Sequence, residues 1–533
     1  MKKIVLVCFC FLCLAATLNA QEYFRVELEE FSINNSPGTH SAAVGVYDNK
    51  WIIIGGRTNG LHGFNAIDPF STNGNNNNIF LINPDNETVE SVSLSNLNTQ
   101  LKEALIVSNM QFYQPNDTLL YIIGGYGWND SAQQFLTSRA LVQVNLKLLS
   151  QYIETQSTGI EDCFEILKDE RLAICGGHLK KIDNIYYLVF GHLFDGTYTR
   201  TSSGLHFQKY SRAIKKFEIS NNPQLAISNY SEIYDSINFR RRDYNLVSQI
   251  FPDRTYGFTA FTGVFQEVFT LPYLNTIDIT ENGYSINNTF NQNLNQYHTA
   301  VMPLYDSLNN FMHTVFFGGI SLYYRDTVND VLVVDSLVPF VNTVSMVTRD
   351  SVGDMTEYEL DIRFPALLGT NAEFIPLQSI NKYEKNILNL NSLTDRTLVG
   401  YIFGGIESPE QNISITDPSN SFASQRIFKV FINKNLPDTT ITQNKTYQIK
   451  EPVSLTISPN PFENSFQISI DNPQKKNIVV QLYGTDKKLI QHIYSGSEVS
   501  YKNIISTENL TAGLYFLELK TEKYRKIYRV IKQ

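Results

Sequence analysis

The densest run of charge in the chain is FRRRD, residues 239–243. Guanidinium groups are forked donors that match carboxylate and sulfate. Arg242 beside Asp243 is therefore either part of an anion site or part of a solvated charge run. His40, Asn109, Arg171, His298 and Glu373 open stretches of similar pattern elsewhere in the chain. Gathered in one place, imidazole, guanidinium, amide and carboxylate groups could bind a sugar or a peptide, or form a rim of structural hydrogen bonds. There is no Gly-x-Ser-x-Gly elbow, no His-Glu-x-x-His helix and no calcium loop of EF-hand form. Past residue 20 the chain keeps two cysteines, Cys163 and Cys175. In an exported protein they form either one disulfide or two buried thiols. With no histidines at ligand spacing, no metal and no cofactor are expected.

These groups would be carried by a repeating unit. Apolar runs stop on glycine at KWIIIGG (50–56), LLYIIGG (119–125), MHTVFFGG (312–319) and LVGYIFGG (398–405), with reduced forms at YYLVFGH (186–192) and FTAFTG (258–263). Taking Gly55, Gly124, Gly191, Gly263, Gly318 and Gly404 as equivalent, the spacing runs from 55 to 86 residues. Such a period signals a modular array. Each unit has a first strand, a turn, the apolar strand, a long loop, and a third strand ending in Asn or Asp. The third strands are NIFLIN (78–83), ALVQVN (140–145), AIKKFEIS (213–220), TIDIT (276–280), DVLVVD (330–335) and RIFKVFIN (426–433). A polar strand such as TVESVSL (88–94) closes the unit. Four strands per unit and six units predict an all-β fold, a six-bladed β-propeller. An apolar second strand covered on both faces need not alternate, and glycine lets neighbouring backbone pass close. A nucleotide cradle would need a helix after the glycines, and none is predicted.

On these strands and glycines, residues 22–435 resemble the kelch family, whose propellers have six or seven blades. The late tryptophan of the kelch motif is missing, since Trp51 and Trp128 are the two in the chain. His40 and His298 are read as equivalent, matching a histidine before the first kelch strand. No fourth strand follows RIFKVFIN, so YFRVELEEF (23–31) is expected to complete the last blade, removing a free sheet edge.

Residues 1–20 read as a secretory signal peptide, with Lys2 and Lys3 before an apolar core and a cleavage point before Gln21. A propeller over 21–435 and a polar linker over 436–452 precede a compact β pattern over 453–533, an Ig-like sandwich. This tail closely resembles the type A C-terminal sorting domain of type IX secretion in Bacteroidetes. The resemblance rests on SPNPF (Pro459, Asn460, Pro461), on LTAGLYFLEL (Gly513, Tyr515), and on the basic end with Lys523, Arg525, Lys526 and Arg529. It implies that the tail is read by the type IX machinery, that it is usually removed, and that the cargo is released or fixed to the outer surface.

Asp followed by Ser or Thr and a small or aliphatic residue recurs, placing hydroxyls at Thr118, Ser131, Ser236, Ser307, Thr327, Ser336, Ser351 and Thr439. The pattern is similar to an O-glycosylation site of exported Bacteroidetes proteins, and equally to ordinary turn formation. The net charge of −9 and the absence of a basic stripe exclude a nucleic-acid binder. No transmembrane segment is predicted in the mature chain.

The expected function is an exported propeller that binds a glycan or protein partner at the face where the first strands begin. The alternative is a secreted carbohydrate-active enzyme, since kelch-like relatives include galactose-type copper oxidases and a sialic acid isomerase. The oxidase needs a Tyr–Cys cross-link, and neither Cys163 nor Cys175 has a matching context. For the isomerase, Arg242, Glu373 and His298 are the candidate groups.

Overall fold

The computed structural model describes residues 24–63, 69–157, 159–197, 206–267, 271–383, 386–434 and 453–533. The expected signal peptide and the whole linker, Thr439 included, lie outside the described residues. Six antiparallel sheets form the blades. Blade 1 is Ala43–Tyr47, Lys50–Ile54, Asn78–Asn83 and Thr88–Ser93. Blade 2 is Gln111–Asn116, Leu119–Ile123, Ala140–Asn145 and Phe164–Lys168. Blade 3 is His178–Ile182, Ile185–Val189, Ala213–Ser220 and Ala226–Tyr234. Blade 4 is Asn245–Ile250, Tyr256–Phe261, Thr276–Thr280 and Gly283–Asn287. Blade 5 is Ala300–Asp306, Phe311–Ile320, Phe340–Arg349 and Met355–Arg363. Blade 6 is Leu367–Pro376, Arg396–Ser408, Ile427–Asn433 and, from the other end of the chain, Arg25–Phe31.

The closing strand pairs in unbroken antiparallel register from Arg25 with Asn433 to Phe31 with Ile427. One expected third strand is misplaced. DVLVVD does not enter blade 5; Val331–Val334 pairs with Tyr323–Asp326 in a loop hairpin. The blade position goes to Phe340–Arg349, almost wholly buried, which can be covered on both faces.

The glycine turns join the blades. Two consecutive residues take left-handed backbone just after the second strand in blades 1 to 4 and within it in blades 5 and 6: Gly55 and Gly56, Gly124 and Gly125, Phe190 and Gly191, Thr262 and Gly263, Gly318 and Gly319, Gly404 and Gly405. Gly191 and Gly263 are thus second, not first, members of their pairs. The second residue donates its N–H to the next blade: Gly56 to the Val107 carbonyl at 2.7 Å, Gly125 to Ile174 at 2.8 Å, Gly191 to Arg241 at 2.9 Å and Gly405 to Thr39 at 3.0 Å. At the first position a Cβ on Gly124 would sit 1.9 Å from the Ile174 carbonyl oxygen, and one on Gly318 would sit 1.9 Å from that of Leu368. Where Phe190 replaces glycine, its ring fills the seam instead, 4.7 Å from the Phe239 ring and 5.2 Å from the Tyr244 ring of the next blade.

The tail is two facing sheets. One holds Ser454–Ser458, Ser465–Asp471 and Ser500–Ser506; the other holds Leu489–Gly496, Ile478–Tyr483, Gly513–Lys520 and Arg525–Lys532. Their core shares one apolar cluster with Leu271, Leu322, Leu332 and Val334 of blades 4 and 5. The Ser336 N–H donates to the Lys523 carbonyl at 2.9 Å.

Gly124→Ala should lower stability by roughly 2–4 kcal/mol, combining strained backbone and a carbonyl clash. Gly283→Ala, left-handed but with nothing within 4 Å of the added carbon, should cost roughly 1–2 kcal/mol. Thermal midpoints of the secreted chain compare the two.

Candidate functional site

Six residues, one per blade, encircle the axis at one end of the channel. Ser41, Asn109, Gly176, Asp243, His298 and Asn371 all have left-handed backbone, φ 47° to 64°. Their backbones bond from blade to blade. The Asn109 N–H donates to the Ser41 carbonyl at 3.1 Å, Gly176 to Asn109 at 3.0 Å, and Asp243 to Gly176 at 3.0 Å. Asn371 donates to His298 at 2.5 Å and Ser41 to Asn371 at 3.4 Å. His298 is therefore equivalent to Ser41, and His40 stands one position earlier, paired with Arg57 across its own blade.

The expected open mouth is covered. Asn59 bridges to Phe422, and the Leu61 N–H donates to Ser421 Oγ at 2.8 Å. The next residue, His62 of blade 1, feels the charges of Arg242 and Asp243 in blade 4, which stands opposite in a ring of six. Leu61 also packs against the cluster of Phe340, Ile406 and Ile413 from blades 5 and 6, so the segment covers the loops of those blades. His40 is 6% exposed and Arg242 is 7% exposed. Burial holds the His40 imidazole down to about 3 and lowers His298 as well, so both are neutral near pH 7.

The arginines of FRRRD are occupied by protein acceptors. Arg241 is fully buried and donates to the carbonyls of Asn238, Thr262 and Asn275. Arg242 donates to the Tyr210 hydroxyl at 2.9 Å and to Asp243 at 3.2 Å. Arg240 donates to the Phe265 carbonyl. Arg171 is away from the axis, in a turn after blade 2, with Asp169 at 2.6 Å and Tyr230 beneath its guanidinium. The first strand of blade 3 is His178–Ile182 and does not begin at Arg171. Cys163 and Cys175 form no disulfide; both are free and buried. Cys163 belongs to the core between blades 1 and 2, and Cys175 to a separate cluster under the loops.

Beyond the ring lies a cavity of about 650 Å³, walled by the six first strands. Next to the ring it presents Gln111, His178, Asn245 and Glu373. Farther along come Val44, Phe112, Leu246, Val301 and Phe374, with Lys180 among them, and at the far end Asp117, Gln378, Lys382 and Asn386. His178 Nε2 donates to the Tyr244 carbonyl at 2.7 Å, which leaves Nδ1 as an acceptor. Burial holds His178 down to about 3. Burial also pushes the Glu373 carboxyl up to about 7, against the opposing pull of Lys180, whose own pKa is lowered by burial. Among the described residues, no side chain hydrogen-bonds Glu373 or Lys180. Of the expected residues, Asn109, His298 and Glu373 line the cavity and His40, Arg171, Arg242 and Asp243 do not.

Sequence reading missed Lys180, His178, Asn245 and Lys382. HLKKIDNIYYLV carried a usable signal for two of them: a hairpin with Asp183–Asn184 at its turn.

The sorting motifs are tied together. Asn460 of SPNPF donates to the Arg529 carbonyl at 2.7 Å and accepts from the Ile531 N–H at 3.0 Å. The Tyr515 hydroxyl donates to the Thr511 carbonyl at 2.7 Å. Pro459 and Pro461 flank Asn460, Gly513 opens the next-to-last strand, and Lys526 lies over the Tyr528 ring.

If burial sets the state of Glu373, neutral glutamine should relieve a cost that exists when the carboxylate is charged. The raised pKa makes the wild type lose stability as pH rises from about 4.5 through about 7. Glu373→Gln should therefore match wild type below pH 4 and exceed its thermal midpoint at pH 8. A difference independent of pH would contradict this.

Residues 456–533 match the family model of the secretion system C-terminal sorting domain. No curated protein matches the chain. Among solved structures, that titled "Structure of YjhT" is 8% identical, covering 76% of this chain and 99% of its own, with a TM-score of 0.41. The WD40 domain of SCAP from fission yeast is 9% identical, covering 96% and 98%, with a TM-score of 0.25. At these scores neither adds to the blade architecture, which stands on strand order. No helix among the described residues is long and apolar enough to cross a membrane. The chain is a β-propeller carrying a type IX sorting domain at residues 456–533, and it is secreted or carried to the outer cell surface.

Proposed function

We propose that this exported, kelch-like propeller binds a glycan in its central channel. One observation carries the reading: Glu373 and Lys180, both half-buried, face the same cavity and bond to no protein side chain, so their polar atoms are open to a ligand. A carboxyl near its midpoint at pH 7 accepts or donates, and an ammonium group donates. Hydroxyls, which do both, suit the pair. The cavity has the volume of a small-ligand site. Phe112 and Phe374 supply apolar wall against which a sugar ring can lie.

A second reading has its own support. A carboxyl with a pKa near 7 is poised for general acid–base chemistry, so the same site would serve a carbohydrate-active enzyme. A glycan array probed with the secreted chain separates the two. Retention of defined glycans, lost about tenfold or more in Glu373→Gln and Lys180→Ala, supports binding. Silence on the array together with turnover of a sugar by wild type, but not by Glu373→Gln, would establish the enzyme instead.

The Asp-Ser/Thr turns are proposed as modification sites. Asp235, Asp306, Asp326, Asp335 and Asp350 each accept a backbone N–H two residues on, which accounts for the aspartates as turn formers. Turn chemistry does not account for the third residue. Ile237, Leu308, Val328 and Val352 are 63%, 83%, 90% and 78% exposed, at a cost in hydration and with no packing gain. Readers of the motif would use them. Mass spectrometry of the natively secreted protein should find glycan at Ser236, Ser307, Thr327 and Ser351; unmodified peptides at all four would refute the proposal.

A further inference from the structure

We infer that the channel is a blind pocket with one entrance, on the face of the first-to-second strand turns, and that it therefore reads the end of a glycan chain and not its interior. The inference rests on the glycan reading for its ligand, but the direction of access stands separately.

The closed end is built from backbone. Strands bonded at about 4.8 Å give a six-membered ring about 10 Å across between Cα atoms, and the atoms themselves fill much of that width. Backbone hydrogen bonds join five of the six junctions between the ring residues Ser41, Asn109, Gly176, Asp243, His298 and Asn371, and at the sixth His298 Nδ1 stands 4.0 Å from Asp243 Oδ1. Above the ring lies the Asn59–His62 segment, anchored on blade 6 and reaching toward blade 4. The sorting domain occupies the same face over blades 4 and 5, through Lys523 against Ser336 and the apolar cluster with Leu322 and Leu332.

The opposite end differs. There the cavity reaches Asp117, Gln378, Lys382 and Asn386, in first-to-second strand connections. The blade 6 connection carries Lys382–Tyr383 and Ile387–Asn389, and the latter runs parallel to the first strand of blade 5 through Leu304 and Leu388. A ligand passing Lys382 meets the apolar belt and Lys180, then Glu373, Asn245 and His178 at the bottom. A polymer cannot thread past the ring, so its last residue makes the deepest contacts. Lys180 and Glu373 become the residues that determine which terminal sugar is held.

The test places a thiol mid-channel. In full-length Lys180→Cys, labelling of residue 180 by N-ethylmaleimide is followed by peptide mass mapping, which separates it from Cys163 and Cys175. Adding bulk at the entrance with Asp117→Trp and Lys382→Trp should slow labelling by about tenfold or more. Bulk on the ring side, His62→Trp, should leave the rate unchanged, as should His62→Ala. Slowing by His62→Trp, acceleration by His62→Ala, or no effect at the entrance would overturn the single entrance. Glu373→Cys repeats the measurement if the first reporter fails to fold. For end reading, each linear oligosaccharide retained on the array is compared with the same chain tethered through its opposite end. Loss in one orientation is expected; equal retention overturns end reading while glycan binding stands. No retention in either orientation removes the glycan reading, and the labelling then decides the entrance.

Discussion

The architecture depends on how closely one blade can approach the next. Toward the end of each second strand or just past it the chain passes through two left-handed residues, and in four of the six blades an N–H there meets a carbonyl of the next blade. Glycine is favoured because a side chain would displace that carbonyl, as at Gly124 and Gly318. The contact is backbone to backbone, so loops of very different length can follow it without changing the spacing of the sheets. Phe190 shows the other solution: the side chain is kept, and the next blade supplies aromatic rings to receive it.

Closing such a ring leaves first strands with their edges toward an axis, and the axis collects polar groups that no sheet satisfies. The chain treats them in two ways. On one side they are turned inward: the arginines of FRRRD bond carbonyls and a tyrosine, and His40 is held neutral by burial. On the other side Glu373 and Lys180 are left facing a cavity, with burial pulling each toward its uncharged form. Perturbed titratable groups in a cavity of this kind are expected where something else is to bind.

The ends of the chain serve different tasks. The first described strand completes the last blade, so the propeller cannot close until both ends of its sequence are present. The sorting domain is a separate sandwich whose motifs meet through Asn460, which joins SPNPF to the final basic strand. It nevertheless rests on the loop face of blades 4 and 5.

Blade number, the closing strand and the sorting tail were legible in sequence, because each follows from local rules: apolar runs that stop on glycine, alternation in 25–31, and short motifs in the tail. Local rules failed where two segments competed for one place. Val331–Val334 and Phe340–Arg349 are both apolar, and which enters blade 5 depends on what covers it. The site was legible in part. Glu373 and Arg242 were both legible as residues near the start of a first strand, yet Glu373 lines the cavity while Arg242 bonds Tyr210 and Asp243. Sequence by itself determined which side chains are ionisable and where apolar runs stop on glycine. Tertiary structure alone decided which charges face a cavity and which face a carbonyl, because burial and partner choice arise between blades distant in sequence.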